Sequence, residues 1–554
     1  MNKLTIVLIL IINVITFNFN YAQYTNGVVS TSDISATEIG IQILKNGGNA
    51  IDAAVAVGFA LAVVYPQAGN LGGGGFMIIQ FGNGNNTFID FRETAPMSAI
   101  KNMYLDAEGE VIEDLSTLGH LSAGVPGSVA GLLYVLEKYG TMTRQEVIQP
   151  SISLAENGFK IHQRLANALN RNLSDFKKFS STSKIFGKKF SKGYLLKQPD
   201  LALTLKLISE YGNDGFYKGV TADKIIGEMT KGNGIISYED LLSYRPKERN
   251  TLRGTYRGYD ILTLGPPSSG GICLIYLLNI LENFDLSSNG YGNINNIHLM
   301  AEAMKRVYAD RSEFMGDEDF ANVPTDILIS KKYAKERMKD YQEGTASKSR
   351  DIKPGDAYYR ENNNTTHYTI ADKHGNVVCV TTTINDEFGS KVIVDGAGFF
   401  LSNSMDDFSI KPGHENIFGL LGGETNAIAP GKRMLSSMTP TIVLKDNKPY
   451  IALGSPGGGK IITTVLQTIV NIIDYGYSLQ KAIDLPRFHH QWYPDLIMAE
   501  NDMLNKEKVK FLKKMGYDIK TVNDFGRVDA IIFYSDGTME GHSDRRGYGI
   551  SMGF

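Results

Sequence analysis

The stretch AIDAAVAVGFALAVVY (50–65) narrows the possible folds more than any other part of this sequence. It is apolar on every side of a helix, so it has no face to offer water and must be surrounded by other structure. It is too short to span a bilayer and carries Asp52, so it is read as a buried core helix. Asn49 opens it and Pro66 closes it. A shorter helix precedes it, capped by Asp33 and stopped by Asn46-Gly47-Gly48. A core that can bury such a helix needs a long chain, and the 554 residues supply one. At roughly 150 residues per domain, that length predicts three or four domains.

Composition removes several function classes. Lys and Arg number 56 against 59 Asp and Glu, a formal charge of −3. That balance lacks the basic excess of a nucleic-acid-binding protein. Two cysteines make neither a disulfide framework nor a zinc cluster. Cys273 and Cys379 both lie in apolar strings, which predicts buried free thiols. At the N-terminus, Lys3 and the run LTIVLILIINVITF, followed by NFNYAQ, read as a secretory signal over 1–22 ending at Ala22, with an uncleaved anchor as the alternative. Either reading places the protein outside the cytosol, secreted or periplasmic.

After the apolar helix, PQAGNLGGGGFMIIQF is a glycine-rich turn entering a strand, and NTFIDFRETAP is a second strand. Residues 130–340 carry mostly helical periodicity, broken at LGPPSSGG (264–271). From Lys339 to Asn364 the text is polar and aperiodic and predicts an exposed, mobile loop. Beyond it come strands at HYTIA, VVCVTTTI, PTIVL, PYIAL and AIIFY, with a helix at 460–475. Helices first and paired strands later predict an α+β, layered architecture.

One constellation emerges from spacing. In TTHYTIADKHGNVVCVTTTIN (365–385) two strands flank a short loop with Gly375 at its left-handed position. If Asp372 opposes Asn376, Thr365 falls opposite Thr383, and Asn385 shares that face. A threonine hydroxyl becomes a good nucleophile when a cut frees it as a new N-terminus and its own amine acts as base. A cut before Thr365, after an Asn-rich loop, would do this. Threonines in strands are more often present for β-propensity, and spacing alone does not choose between these readings.

GNLGGGGFM (69–77), DFRETAP (90–96), YADRSEF (308–314), Asn364-Thr365-Thr366-His367-Tyr368, MDDFS (405–409), LSSMTPT (435–441), GSPGGGK (454–460) and PRFHHQW (486–492) together resemble the γ-glutamyltranspeptidase family. The resemblance runs from about residue 27 to the C-terminal region. It implies an N-terminal-nucleophile hydrolase with a four-layer αββα sandwich. The family's proenzyme cleaves itself into two subunits that form a heterodimer, here 23–364 and 365–554. The implied reaction is cleavage of γ-glutamyl amides such as glutathione through an ester on the nucleophile, with transfer to water or to an amino-acid or peptide acceptor. It needs no metal or organic cofactor.

Residue by residue, the resemblance implies Thr365 as nucleophile, Thr383 orienting it, and an oxyanion hole at Gly457 and Gly458. The substrate α-carboxylate is assigned to Arg92, Ser436 and Ser437, and the α-amine to Asn385 and Asp407. A guanidinium fork suits a carboxylate, and acidic and amide oxygens suit an ammonium. Ser404 stands where the family usually has Gln or Glu beside the amine, so a shorter hydroxyl reaches toward it. The segment PGHENIFGLLGGE (412–424) resembles the lid loop of bacterial members, with Phe418 where some carry Tyr. A phenyl ring shields but cannot hydrogen-bond, which predicts a less firmly latched lid. His367, His489 and His490 are expected to be structural, with His367 packed beside the nucleophile. A related acylase acting on glutaryl side chains is the second enzyme reading, and an inactive secreted binding protein is the third.

Overall fold

The computed structural model describes residues 22–355, 366–411, 413–421 and 423–554. The N-terminal signal reading and Thr365 itself lie outside the described residues. No helix among the described residues is long and apolar enough to cross a membrane.

Thirteen strands build two antiparallel sheets. They are β1 (Gly27–Thr31), β2 (Gly74–Gln80), β3 (Asn86–Asp90), β4 (Lys247–Arg249), β5 (Leu252–Tyr256), β6 (Tyr259–Thr263) and β7 (Thr366–Asp372). The rest are β8 (Val377–Thr383), β9 (Thr441–Lys445), β10 (Lys448–Gly454), β11 (Asp529–Phe533), β12 (Met539–Ser543) and β13 (Ile550–Gly553). The larger sheet has the order β13-β1-β7-β8-β2-β3-β4 and the smaller β12-β11-β10-β9-β6-β5. The chain therefore closes on itself: C-terminal β13 pairs with N-terminal β1, which pairs with β7.

The helices that matter for the site are α1 (Ile34–Lys45), α2 (Ala50–Val64), α3 (Ser128–Tyr139), α4 (Gln163–Arg171), α5 (Gly270–Leu281), α6 (Ile294–Phe314) and α7 (Lys460–Ile473). The inner strands of the larger sheet send alternate side chains into different cores. Val29, Met77, Ile79, Tyr368, Ile370, Val378 and Val380 pack with α1–α3. Their neighbours Val28, Phe76, Ile78, Ala371, Val377 and Cys379 meet Ile442, Ala452 and Ile531 of the smaller sheet. On that sheet's other side Val443, Ile451, Leu453 and Ile532 pack against α5–α7. Strands buried on both faces read as continuous apolar runs, which is how they appear in the sequence.

The apolar helix is α2, and every one of its residues is buried. Asp52 is tolerated there because it closes a capping box with Asn49 and accepts from Thr141 N at 2.9 Å and Thr141 Oγ1 at 2.6 Å. Cys273 and Cys379 are buried and free, and burial pushes both thiols up to about 12, where they are inert.

Two expectations need correction. The middle is not helical throughout, because β4–β6 occupy 247–263. These strands are short, and their turn at Arg257-Gly258 leaves little periodicity to read. The polar stretch is also not free along its first part. Trp492 Nε1 donates to Ser349 O at 2.7 Å, Ser349 N donates to Asp495 Oδ2 at 2.9 Å, and Gly355 N donates to Asp310 Oδ1 at 2.8 Å. Polar composition marked the segment as surface, but main-chain hydrogen bonds pin it. Residues 356–364 of that stretch lie outside the described residues.

Candidate active site

The hairpin β7–β8 has the expected register. Val377 faces Ala371 and Thr382 faces Thr366, with Gly375 at φ +81° in the turn. One residue before Thr366 the description stops, so the Thr365–Thr383 pairing is not reached. At the far end of β8, Thr383 Oγ1 accepts the Asn385 N–H at 2.8 Å. Asn385 is held in the left-handed region at φ +74°, strain of the kind that concentrates at functional positions.

The glycine run 72–75 is explained by this strand end. A Cβ on Gly73 would lie 2.0 Å from the Thr383 carbonyl oxygen, so only glycine lets the loop approach. Asn70 fastens the loop there, donating to Thr383 O at 2.9 Å and to Thr382 Oγ1 at 3.2 Å while accepting from Gly73 N and Ser128 Oγ. His367 lies fully buried, bonded at 2.9 Å to both Thr381 Oγ1 and Thr369 Oγ1. Burial pushes it down to about 3, so it is neutral and structural.

A second cluster forms where the loop after β3 meets the turn of 404–407. Arg92 is wholly buried. It donates to Glu93 Oε2 at 3.0 Å, to Asp407 Oδ2, and to the carbonyls of Met434 and Leu435 at 3.3 and 3.5 Å. Ser404 Oγ donates to Glu93 Oε1 at 2.6 Å. Sequence reasoning passed over Glu93, although it stands beside Arg92 in the same DFRETAP motif. Ser404 thus meets a carboxylate of its own chain. Arg311, from α6, donates to Ser437 Oγ, a contact also missed at sequence level although it lies inside YADRSEF. Burial pulls Arg311 down to about 10.

Ser436 is anchored by main-chain contacts to the LGPPSSGG segment: its carbonyl accepts from Ser269 N at 2.8 Å and Ser268 Oγ at 3.2 Å. That places the interruption noted in the helical middle directly behind the site. Ser437 O in turn accepts from Thr439 Oγ1 at 2.7 Å.

Two oxygens in this region stand out. Asp407 Oδ1 and Asn385 Oδ1 are buried and have no hydrogen-bond partner among the described residues. The Asn385 amide is oriented by its own Nδ2, which donates to Asn403 O at 3.1 Å and leaves the oxygen as the unused acceptor. A buried acceptor without a donor costs about 1–3 kcal/mol, so two mark a place for an N–H-rich group. Burial, helped by nearby Asp406 and Glu93, pushes the Asp407 carboxyl up to about 8 against the pull of Arg92. Burial lowers the Arg92 guanidinium, but Glu93 and Asp407 outweigh it and the net direction is up.

Gly457 and Gly458 lie between β10 and α7 with φ of +133° and +61°. No described residue accepts from either amide, while their carbonyls accept from Lys460 N and Ile461 N. Two free N–H groups at a helix N-terminus are suited to a developing negative oxygen.

The loop 413–421 packs over this region by main-chain contacts. Gln491 Nε2 donates to Phe418 O at 3.1 Å and Gly419 O at 3.2 Å, and Asp406 Oδ2 accepts from Ile417 N at 3.2 Å. Gln491 is itself positioned by His489, whose other ring nitrogen meets Thr463. The Phe418 contact with Gln491 runs through its carbonyl and does not involve its ring. His489 and His490 are buried. Among the described residues no group of three or more His, Cys, Asp or Glu could hold a metal ion.

Comparison with known proteins gives a consistent picture. Residues 36–554 match the family described as gamma-glutamyltranspeptidase. The chain is 47% identical over 532 residues to the glutathione hydrolase proenzyme of Escherichia coli (strain K12), spanning 95% of this chain and 92% of the relative. Among solved structures it resembles the cephalosporin acylase from Bacillus halodurans, with a TM-score of 0.87, 27% identity and 97% of each chain covered. It also resembles a chain of Helicobacter pylori gamma-glutamyltranspeptidase, with a TM-score of 0.58 and 52% identity, over 59% of this chain and 94% of that one.

Proposed function

The chain belongs to the γ-glutamyltranspeptidase family, and from that membership we propose that it is a glutathione hydrolase and γ-glutamyltransferase made as a self-cleaving proenzyme. The cut falls between Asn364 and Thr365 and yields a large piece, 23–364, and a small piece, 365–554, that stay together as a heterodimer. Two sheets with helices packed on each outer side support a four-layer αββα sandwich built from both pieces. The pairing of β1 with both β7 and β13 supports subunits held by shared strands without a disulfide. The apolar N-terminal run supports export to the periplasm or beyond.

In this reading Thr365 Oγ attacks the γ-carbonyl, its α-amine takes the proton, and the amides of Gly457 and Gly458 hold the oxyanion. The α-ammonium passes that proton to the nitrogen of the scissile amide, the C–N bond breaks, and the departing amine leaves a γ-glutamyl ester on Thr365, which water, an amino acid or a peptide then resolves. Thr383 positions the end of β8, where Asn385 follows.

The observation that carries the reading is the pair of unpartnered oxygens on Asp407 and Asn385 beside buried Arg92. A free α-amino acid head is a zwitterion. Its ammonium satisfies both oxygens. Its carboxylate takes the Arg92 donors that now reach Asp407, with Ser436 and Ser437 alongside, so the ligand exchanges partners with a hydrogen-bonded pair already present. A glutaryl group lacks the amine and would leave both acceptors unsatisfied, which disfavours the acylase reading despite the acylase-like fold.

The test uses one preparation. The wild type is expected to run as two chains on a denaturing gel and to release chromophore from a γ-glutamyl anilide. Thr365→Ala is expected to remain a single chain without activity. Cleavage at 364/365 in that variant would refute the nucleophile, and faster turnover of a glutaryl anilide would favour the acylase.

A further inference from the structure

Helix α6 touches both halves of the candidate site. Tyr308 and Arg311 stand three residues apart on it, so they share one face. Each is only 1% exposed. The Tyr308 hydroxyl donates to the carbonyl of Gly459, which follows Gly457 and Gly458 in the turn before α7. Arg311 donates to Ser437 Oγ. The two side chains also meet each other, with the Arg311 guanidinium 5.6 Å from the centre of the Tyr308 ring. Asp310, one position earlier and about 100° round the helix, serves other partners, accepting from Tyr276 and from Arg337 at 2.8 Å each.

What Arg311 does to Ser437 follows from counting donors and acceptors. A guanidinium offers only N–H donors, whereas a serine hydroxyl has one O–H and two lone pairs. Ser437 Oγ therefore accepts from Arg311, and its single proton has to serve an acceptor elsewhere. Ser436 Oγ is held differently, accepting from Met438 N at 3.2 Å within its own turn. Arg92 already faces Glu93 and Asp407, so a serine of fixed polarity beside it matters to whether a carboxylate is preferred there. Ser437 and Gly459 both lie outside regular strands and helices, and a group carried on a loop keeps its geometry when a rigid element braces it.

We propose that Arg311 is a positioning residue for substrate recognition. It fixes Ser437 as a hydrogen-bond donor to the donor substrate's α-carboxylate, while Tyr308, on the same helix face, holds the oxyanion turn at a set distance from that serine. The inference rests on the γ-glutamyl transfer reading above and on its assignment of the α-carboxylate to Ser437. Helix α6 thereby links selection of the amino-acid head to the place where the scissile carbonyl is activated.

The experiment compares a γ-glutamyl anilide with its counterpart whose α-carboxylate is a carboxamide. The enzymes are wild type, Arg311→Gln, Arg311→Lys, Ser437→Ala, Tyr308→Phe, and Arg311→Gln combined with Ser437→Ala. Both donors are run on one preparation, so a fall in folded or processed enzyme cancels in the ratio of kcat/KM. The wild type is expected to favour the acid by about a hundredfold and Arg311→Gln by about tenfold, with the change carried by KM. Arg311→Lys keeps a donor of different reach and is expected to fall between them. Tyr308→Phe is expected to lower kcat a few-fold for both donors and to leave the ratio in place. Arg311→Gln should change the ratio no further once Ser437 is alanine, because the effect runs through that hydroxyl. An Arg311→Gln that lowers both donors alike, or that adds its full effect to Ser437→Ala, is only a structural brace and overturns the proposal. An unchanged kcat in Tyr308→Phe overturns the part assigned to the oxyanion turn. If Arg311→Gln yields no processed enzyme, Arg311→Lys decides: a ratio below wild type supports the proposal and an unchanged one overturns it. If the wild type turns over neither anilide, the underlying reading fails first.

Discussion

The Arg92 cluster and the cavity lined by Arg164 and Arg527 use the same side-chain chemistry in opposite ways. Around Arg92 both charges of the pair are fully buried, each within reach of a fixed neighbour, and two acceptor oxygens wait unpartnered. Around Arg527 and Arg164 the guanidiniums line an open cavity whose wall also carries Asp524 and Glu387. A dry, paired site rejects any group that cannot replace its partners, because the loser is left unsatisfied in low dielectric. An open site tolerates variety and contributes less per contact. The contrast teaches that selectivity should be strict for the γ-glutamyl head and loose for whatever enters the Arg527 cavity.

The strongest way to break this contrast is Asp407→Asn. It removes the acceptor charge but keeps the shape, and kcat/KM for a γ-glutamyl anilide is expected to fall on the order of a hundredfold. A loss no larger than that of Arg527→Gln would erase the distinction between the two sites.

Changing pH sharpens it. The Asp407 carboxyl titrates near 8 in the free protein, raised chiefly by burial, so below that pH it is largely protonated and cannot pair with an ammonium. The apparent KM for a γ-glutamyl donor is therefore expected to fall as pH rises toward about 8, by up to about tenfold per unit. Asp407→Asn should remove this limb.

The smallest effect concerns the loop above the cluster. Gln491→Ala removes the two donors to the Phe418 and Gly419 carbonyls. Limited proteolysis within 413–421 is expected to quicken about fivefold, with a similar rise in KM for the donor. An unchanged cleavage rate would show that Asp406 and packing hold the loop without Gln491.

Much of this was legible in the sequence. The α2 helix followed from sixteen apolar-dominated positions between Asn49 and Pro66, and the β7–β8 register followed from one turn, because both are local. Motif order assigned Arg92, Asp407 and Gly457. Glu93 was not legible because its role depends on Ser404, which the fold brings from 311 positions away, and Arg311 because α6 reads as an ordinary helix. Strands β4–β6 escaped because three short strands in a helical context leave no lasting period.

The sequence by itself determined the local elements, the chemistry available to them and the family to which they belong. Only the tertiary structure decided which charges face each other. Arg92, Glu93, Ser404 and Asp407 span more than 300 positions, and whether a guanidinium there is quenched or left open depends on which acid the fold delivers to it. The same residue type therefore ends as half of a buried ion pair at Arg92 and, at Arg527, as a cation lying over the Tyr65 ring with no salt bridge among the described residues. No local pattern records that difference, because burial and partner are set by packing between distant segments.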